Sequence, residues 1–140
     1  MSSSAKVRRG TCLCKTVRYE VTEEPFHYTL CHCSNCKKSA GSAFMAHSYW
    51  KPDQLKIIEG ESFIRHYSDN DTQSANTITR SFCTNCGSSL FVKPAKGDFI
   101  IAQPSAIEGH QAWAPKKEFY SGNRAEWLKD ITFVTNKSKL

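Results

Sequence analysis

The stretch Cys83-Thr84-Asn85-Cys86-Gly87 has the C-x-x-C-Gly form of a zinc knuckle. In such a turn, backbone N–H groups point at the cysteine sulfurs and the glycine accepts a positive φ. One knuckle supplies two of the four ligands of a closed structural zinc site, and Cys12-Leu13-Cys14 offers a second pair. The predicted site ties the N-terminal hairpin to the middle of the domain, and the alternative is a set of free buried cysteines. Its ligands are Cys12, Cys14, Cys83 and Cys86.

The segment Cys31-His32-Cys33-Ser34-Asn35-Cys36 contains the other three of the seven cysteines. Three thiolates this close in sequence can bind one ion and leave a fourth position for water, a histidine or a substrate. His32 lies between two ligands and is expected to point away from the metal, whereas His27 and His47 are candidate fourth ligands. The alternative is that these cysteines hold no metal and that two of them form a redox disulfide.

Three thiolates make a bound zinc ion a mild Lewis acid that is well suited to bind and deprotonate a further thiol. The chemistry that follows is attack of the bound thiolate on an electrophilic carbon, or the reverse cleavage of a carbon–sulfur bond. Cys31, Cys33 and Cys36 are therefore the candidate catalytic residues, and they are predicted to hold a second zinc.

Composition places the chain among ordinary globular proteins, with 39% hydrophobic and 23% charged residues. At 140 residues it is predicted to form one domain, residues 1–140, with a core of about 7–134 and an unstructured tail over 135–140. No apolar run approaches the ~20 residues of a membrane span, and the polar, basic start at 1–9 is unlike a secretory signal. Cysteines that are not exported are expected to be thiolates rather than disulfides.

The formal charge of +6 favours an acidic partner. The lysines and arginines are scattered, with short pairs such as Arg8-Arg9 and Lys37-Lys38 and no long basic block. A dedicated nucleic-acid-binding arm shows such a block, so binding of nucleic acid is not expected.

Short β-like segments separated by turn residues predict an all-β domain with little helix. Helix signals are confined to a turn after Cys33 and a short piece over 124–129. The predicted strands are Val17 to Val21, Phe26 to Leu30, Ala43 to Trp50, Leu55 to Ile58, Phe63 to Tyr67, Ile78 to Phe82, Leu90 to Lys93 and Phe99 to Ala102.

Three motifs together resemble the glutathione-dependent formaldehyde-activating enzyme family, which also includes centromere protein V-like domains. The motifs are Gly10-Thr-Cys12-Leu-Cys14 with Val17 to Glu20, Cys31 to Lys38 with Gly41 to Phe44, and Arg80 to Ser88. Their order and spacing agree with the family over roughly 10–133. One departure is Lys15, which stands where many relatives have glycine.

The resemblance implies a small zinc-bound β-tent fold of several short antiparallel sheets. It implies structural zinc on the four-cysteine site and a second, labile zinc on Cys31, Cys33 and Cys36 beside a glutathione site. It further implies formation of S-hydroxymethylglutathione from glutathione and formaldehyde, which is a carbon–sulfur lyase reaction in reverse.

A zinc-dependent lyase acting on glutathione or a glutathione adduct is therefore the leading hypothesis. Glutathione is anionic, so Lys37, Lys38, Arg80 or Arg124 can hold its carboxylates; Lys37 and Arg80 are preferred because they flank ligand motifs. Phe44, Tyr49, Trp50 and Trp113 are candidates for a pocket wall, although core packing is the more ordinary role of each. The alternatives are a non-catalytic zinc module that binds protein or nucleic acid, and a zinc–thiolate redox sensor.

The chain ends in Ser138-Lys139-Leu140, the tripeptide read by the peroxisomal import receptor. In a eukaryote this ending predicts a peroxisomal protein that has the import receptor as a partner. In a bacterium the tripeptide has no such meaning, and a cytoplasmic location is the alternative.

Overall fold

The computed structural model describes residues 4–128 of the chain. Within that range it contains ten strands, one α-helix and several single turns of 3₁₀ helix. The strands are β1 (Val7–Thr11), β2 (Arg18–Thr22), β3 (His27–Cys31), β4 (Met45–Trp50), β5 (Leu55–Glu59), β6 (Ile64–Asp69), β7 (Ile78–Cys83), β8 (Ser89–Pro94), β9 (Ile100–Ala102) and β10 (Lys117–Phe119). The helix is α1 (Ser34–Ala40), and the 3₁₀ turns are Pro52–Gln54, Glu61–Phe63, Pro104–Ala106, His110–Ala112, Ser121–Asn123 and Glu126–Leu128.

The predicted all-β class with little helix is confirmed, and each predicted strand overlaps an observed one. Two strands carry no alternating apolar pattern and were not predicted. β1 begins Val7-Arg8-Arg9, yet Arg8 is buried, with its guanidinium 4.9 Å from the centre of the Trp113 ring. β10 has only three residues, and its pairing with β3 depends on the tertiary fold.

The strands form two sheets. The smaller has the order β1-β2-β5 and is antiparallel throughout. The larger has seven strands in the order β10-β3-β4-β9-β8-β7-β6. One pair departs from the predicted antiparallel pattern, because β10 runs parallel to β3 at the edge of the larger sheet.

The main core contains side chains from both sheets. Trp50 is fully buried, donates from Nε1 to Ser48 Oγ (2.9 Å) and packs its ring edge-to-face with Trp113 at 5.6 Å. Ser48 Oγ in turn donates to the Ala102 carbonyl (2.8 Å), so the buried polar atoms of this group are paired. The core is made of Cys12, Val17, Tyr19, Val21, Trp50, Cys83, Leu90, Phe91, Ala102, Ile107 and Trp113.

Gly10 lets β1 lie directly over an aromatic ring of β2. It pairs with Tyr19, and a Cβ at this position would lie 2.2 Å from Tyr19 Cζ. Tyr19 is fully buried, so its ring cannot move aside. A side chain at position 10 would separate the two strands of this hairpin.

A second cluster of buried side chains faces the opposite side of the larger sheet, since neighbouring strand residues point to opposite faces. On β9, Ala102 belongs to the main core, whereas Ile101 packs in this second cluster with Met45 and Val92. Cys31, Cys33 and Cys36 belong to the same cluster. The fold therefore places the three-cysteine motif on one face and the main core on the other.

Several predictions fall on parts of the chain outside residues 4–128. The tail over 135–140 and its tripeptide Ser138-Lys139-Leu140 lie outside the described residues, as does the last residue of the predicted helical piece at 124–129. The single domain over 1–140 stays a prediction. Within the described part of the chain, no helix has the length and apolar character to cross a membrane.

Candidate functional site

Four cysteine sulfurs from two distant hairpins meet at one point. The Sγ atoms of Cys12, Cys14, Cys83 and Cys86 all lie within 4.8 Å of one another. Two separations are 3.5 Å (Cys12 to Cys14) and 3.9 Å (Cys14 to Cys83). A tetrahedral zinc with 2.3 Å bonds to sulfur separates its ligands by about 3.8 Å, so the donor set and its spacing fit zinc. A disulfide requires sulfurs about 2 Å apart.

Donors from the protein already point at these sulfurs. The Val17 N–H donates to Cys12 Sγ (3.3 Å), and Asn85 Nδ2 donates to Cys14 Sγ (3.2 Å). In the knuckle, the Gly87 N–H donates to the Cys83 carbonyl (2.8 Å), and Gly87 has a φ of 75°. The sequence prediction that this glycine adopts a positive φ is confirmed.

Lys15 also has a positive φ, of 65°, where L-residues other than glycine are rare. Its N–H donates to the Cys12 carbonyl (3.1 Å) and closes the turn that holds Cys12 and Cys14. A glycine at this position would adopt that conformation without strain. Lys15 keeps the turn at a conformational cost.

The three-cysteine motif brings its sulfurs together where β3 leads into α1. Cys31 ends β3, Cys33 is the N-cap of α1, and Cys36 lies in the first turn of the helix. All three are buried, and their Sγ atoms lie within 4.8 Å of one another. The Cys36 N–H donates to Cys33 Sγ (3.3 Å). Three converging thiols with a place for one more ligand fit the open type of zinc site.

A buried ion pair supports this cluster from β6 and β7. Arg80 Nε donates to Asp69 Oδ2 (2.8 Å), and both guanidinium Nη atoms lie 3.9 Å from Cys36 Sγ. Asn35 Nδ2 lies 3.0 Å from each Asp69 carboxylate oxygen and donates to the Asp71 carbonyl (2.8 Å). The network places a fixed positive charge against the thiols. Arg80 was predicted from the sequence as a glutathione contact, whereas no pattern in the sequence pointed to Asp69.

The histidines near the motif have different environments. His47, on β4, is buried with Nε2 3.9 Å from Cys36 Sγ, but it is not part of the group formed by the three sulfurs, and its role as a fourth ligand stays a prediction. His32 points elsewhere, as predicted, and its Nε2 lies 2.8 Å from Glu118 Oε1 on β10. The His27 ring packs 5.1 Å from the Tyr49 ring and, within the described residues, is not part of a metal-ligating group.

Contacts within the cluster shift the pKa values of its thiols in opposite directions. Hydrogen bonds from Cys31 and Cys36 lower the pKa of the Cys33 thiol to about 2, and the Arg80 charge acts in the same direction. Hydrogen bonds with Cys31 and Cys33 raise the pKa of the Cys36 thiol. Burial lowers the pKa of His47 to about 4, with help from Arg80. These pKa shifts favour the thiolate form of Cys33 and the neutral form of the His47 imidazole.

A pocket of about 190 Å³ opens from the three cysteines across the outer face of the larger sheet. Cys33, Cys36, His47 and Arg80 are among its polar lining residues, and most of the lining surface is apolar. A second pocket, of about 510 Å³, lies beyond Asn35 and Arg80, which line both. The buried thiols are therefore accessible from a defined cavity.

The family model of the glutathione-dependent formaldehyde-activating enzyme matches residues 7–123, from β1 to the turn at Ser121–Asn123. The chain belongs to this family. A protein of Halomonas elongata that bears the family's name is 25% identical over 123 residues, covering 86% of this chain and 78% of that protein. An uncharacterized lyase of Schizosaccharomyces pombe is 30% identical over 88 residues, covering 63% of this chain and 58% of the yeast protein.

A crystal structure of a Rhodobacter sphaeroides protein has the same fold. The TM-score is 0.58 at 20% sequence identity, and the match covers 72% of this chain and 88% of that one. At this identity the likeness shows the fold alone.

The other residues predicted for the glutathione site occupy different positions around the two pockets. Lys37 follows Cys36 in α1 and donates from Nζ to the Asn123 carbonyl, while Lys38 is exposed and lines the larger pocket. Tyr49 lines the smaller pocket. Glutathione binding by Lys37 and Arg80 stays a prediction.

The other aromatic candidates do not line the smaller pocket. Trp50 and Trp113 pack in the main core, and the Phe44 ring lies 5.8 Å from His32. The ordinary role of core packing therefore holds for both tryptophans.

Proposed function

We propose that this chain is a zinc-dependent carbon–sulfur lyase that makes or breaks the bond between glutathione and an aldehyde carbon. Its simplest product is S-hydroxymethylglutathione from formaldehyde. The observation that carries the proposal is the set of three buried thiols converging at the end of a pocket, in a member of this family. The relative from fission yeast that is named a lyase supports the same class of reaction.

Two zinc ions per chain are proposed, with different roles. The four-cysteine site is closed and structural. The site on Cys31, Cys33 and Cys36 has one position left, where bound zinc would favour the thiolate form of an incoming thiol. Because only three protein ligands hold it, this second ion is the more labile one.

The protein's own residues supply position and charge. Arg80 offsets the negative charge of the thiols, and Asp69 with Asn35 holds its guanidinium in place. Lys37, in the last turn of α1, and Arg80 are the proposed contacts for the glutathione carboxylates. In the forward reaction the glutathione sulfur bonds to the aldehyde carbon, and the thiol proton ends on the aldehyde oxygen. The reverse reaction breaks that bond, and neither direction changes oxidation state.

The test is binding of glutathione and S-methylglutathione by calorimetry, together with aldehyde consumption. Glutathione is expected to bind the native protein and to show no binding to the Cys33→Ser variant. S-methylglutathione lacks an ionisable thiol and is expected to bind at least about tenfold more weakly, a difference of ~1.4 kcal/mol. Equal affinity of the native protein for both ligands would exclude coordination of the thiolate.

A further inference from the structure

We propose, on the basis of the proposed function, that the aldehyde joined to glutathione here carries an apolar chain or ring, and that the pocket beside the three cysteines binds that group. Formaldehyde is then the smallest member of the substrate class. Three features of the pocket support this: its lining residues, the contacts that hold those residues in place, and its volume.

The lining of the pocket has a polar part and an apolar part. The polar part includes the thiols, His47 and Arg80, together with residues 72–74 between β6 and β7. The apolar part is a wall from five strands of the larger sheet and the residue before β9. Its members are Tyr49, Ile78, Val92, Phe99, Ile101 and Phe119. A group attached to the carbon that reacts at the thiols would extend along this wall.

The wall is packed from behind. The Tyr49 and Phe99 rings contact each other at 5.5 Å between centres, and Tyr49 Oη lies within hydrogen-bond distance of Thr29 Oγ1 (3.3 Å). Val92 and Ile101 are buried and pack in the second cluster with the cysteines. Because the tyrosine hydroxyl is paired within the sheet, the ring face remains as the contact surface for a ligand.

Size and polarity select the aldehyde substituent as the occupant. Apolar cavities of about 150 Å³ bind benzene, so a pocket of about 190 Å³ has room for a ring or a chain of similar size. Formaldehyde has a single carbon and leaves this wall without a partner. The glutathione peptide carries ionised carboxylates and an amine, whose burial against apolar walls is costly.

The reaction is the same addition of glutathione to an aldehyde that is proposed for formaldehyde. Glutathione adds through sulfur to the carbonyl carbon of R–CHO, and the thiol proton moves to the carbonyl oxygen to give a hemithioacetal. In reverse, the carbon–sulfur bond breaks and the aldehyde is released. Only the group R differs from the formaldehyde case.

Binding of S-hexylglutathione and S-methylglutathione, measured by calorimetry, isolates the pocket from thiol coordination because neither ligand has a free thiol. The hexyl compound is expected to bind at least about tenfold more tightly, since each buried methylene is favourable. Ile78→Trp, which fills the pocket, is expected to abolish this preference. The matched control is Ile58→Trp, on β5 of the smaller sheet, where the side chain is 45% exposed. Equal affinity of the native protein for the two compounds overturns the proposal, even if Ile78→Trp fails to fold.

Measurements of turnover distinguish the apolar-aldehyde proposal from the proposed lyase function. Hexanal and benzaldehyde are expected to react with glutathione with a kcat/KM at least about tenfold above that of formaldehyde. Ile78→Trp is expected to remove that advantage. Activity on formaldehyde alone would overturn the apolar-aldehyde proposal and leave the lyase function standing. Tight hexyl binding without turnover of any aldehyde would instead overturn the lyase function, and with it the assignment of an aldehyde to this pocket.

Discussion

At the scale of single residues, the charge of Arg80 dominates the candidate active site. Its side chain is buried, paired with Asp69 and directed at Cys36. A buried ion pair contributes little net stability against an apolar replacement, but removing one partner leaves an uncompensated charge. Because its guanidinium lies 3.9 Å from Cys36 Sγ, we expect Arg80 to act on the thiols as well as on the fold.

Arg80→Leu is expected to lower the free energy of unfolding by about 3–5 kcal/mol, because Asp69 is left buried without its counter-charge. The second zinc is expected to bind more weakly, since the positive charge beside the thiols is gone. Urea denaturation and zinc content per chain measure the two effects. The control is Arg80→Leu combined with Asp69→Leu, which should recover most of the stability but not the zinc. Recovery of both would show that Arg80 only balances Asp69.

Lys15→Gly tests the strain in the turn between the first two cysteines. The left-handed conformation costs a residue with a Cβ about 1–2 kcal/mol, and glycine removes this cost. Glycine also makes the unfolded chain more flexible, which offsets part of the stabilisation. The expected net result is a stabilisation of about 0.5–1 kcal/mol, seen as a higher midpoint in urea. Lys15→Ala keeps the Cβ and serves as the control, with stability close to the native value. A less stable glycine variant would contradict the strain argument.

At the scale of elements, the four-cysteine site joins two hairpin turns. Cys12 and Cys14 lie in the β1–β2 connection, and Cys83 and Cys86 lie at the β7–β8 turn. β1 belongs to the smaller sheet and β7 to the larger one. The site thus connects the sheets at the edge of the main core, which includes two of its cysteines.

Cys12→Ser or Cys86→Ser is expected to unfold the protein. A structural zinc contributes about 10 kcal/mol or more in zinc-finger peptides, which rivals the whole stability of a small domain. Cys33→Ser is expected to remain folded with one zinc fewer and no activity. Circular dichroism and metal analysis distinguish the two classes. Identical melting of both classes would contradict the division into structural and reactive sites.

Close packing between β1 and β2 depends on Gly10. Gly10→Ala places a methyl group against the buried Tyr19 ring, and such overpacking typically costs about 1–3 kcal/mol. The expected result is a lower urea midpoint with the same zinc content as the native protein. Gly122→Ala is the control, since a Cβ there meets no atom within 4 Å. Equal stability of the two variants would show that β1 can shift to accept the methyl group.

At the scale of the whole molecule, the larger sheet separates structure from chemistry. One face packs against the smaller sheet, and the other carries the thiols and the apolar pocket. Loss of the second metal should therefore leave the main core intact. Brief treatment with a weak chelator is expected to remove one zinc per chain and abolish activity while the circular dichroism spectrum is retained. Concerted loss of metal and structure would contradict this separation.

Sequence alone determined the family, the all-β class and both cysteine groups. The reason is that zinc ligands occur at short, fixed spacings, and strands show a two-residue apolar period. The positive φ of Gly87 and the orientation of His32 away from the thiols followed from the same local rules. Glutathione binding by Lys37 and Arg80 and peroxisomal import through Ser138-Lys139-Leu140 stay predictions.

Only the tertiary structure decided how the reactive face is built. Asp69 and Asn35 are 34 residues apart and meet because the end of β6 lies beside the first turn of α1. β10 joins the sheet through three residues whose pairing with β3 leaves no periodic pattern in the sequence. The apolar pocket likewise comes from strands that are distant in the chain. In the sequence its side chains have the pattern of ordinary core residues, and only the sheet order shows that they line a pocket. Local spacing identifies ligands, whereas their surroundings depend on contacts between distant segments.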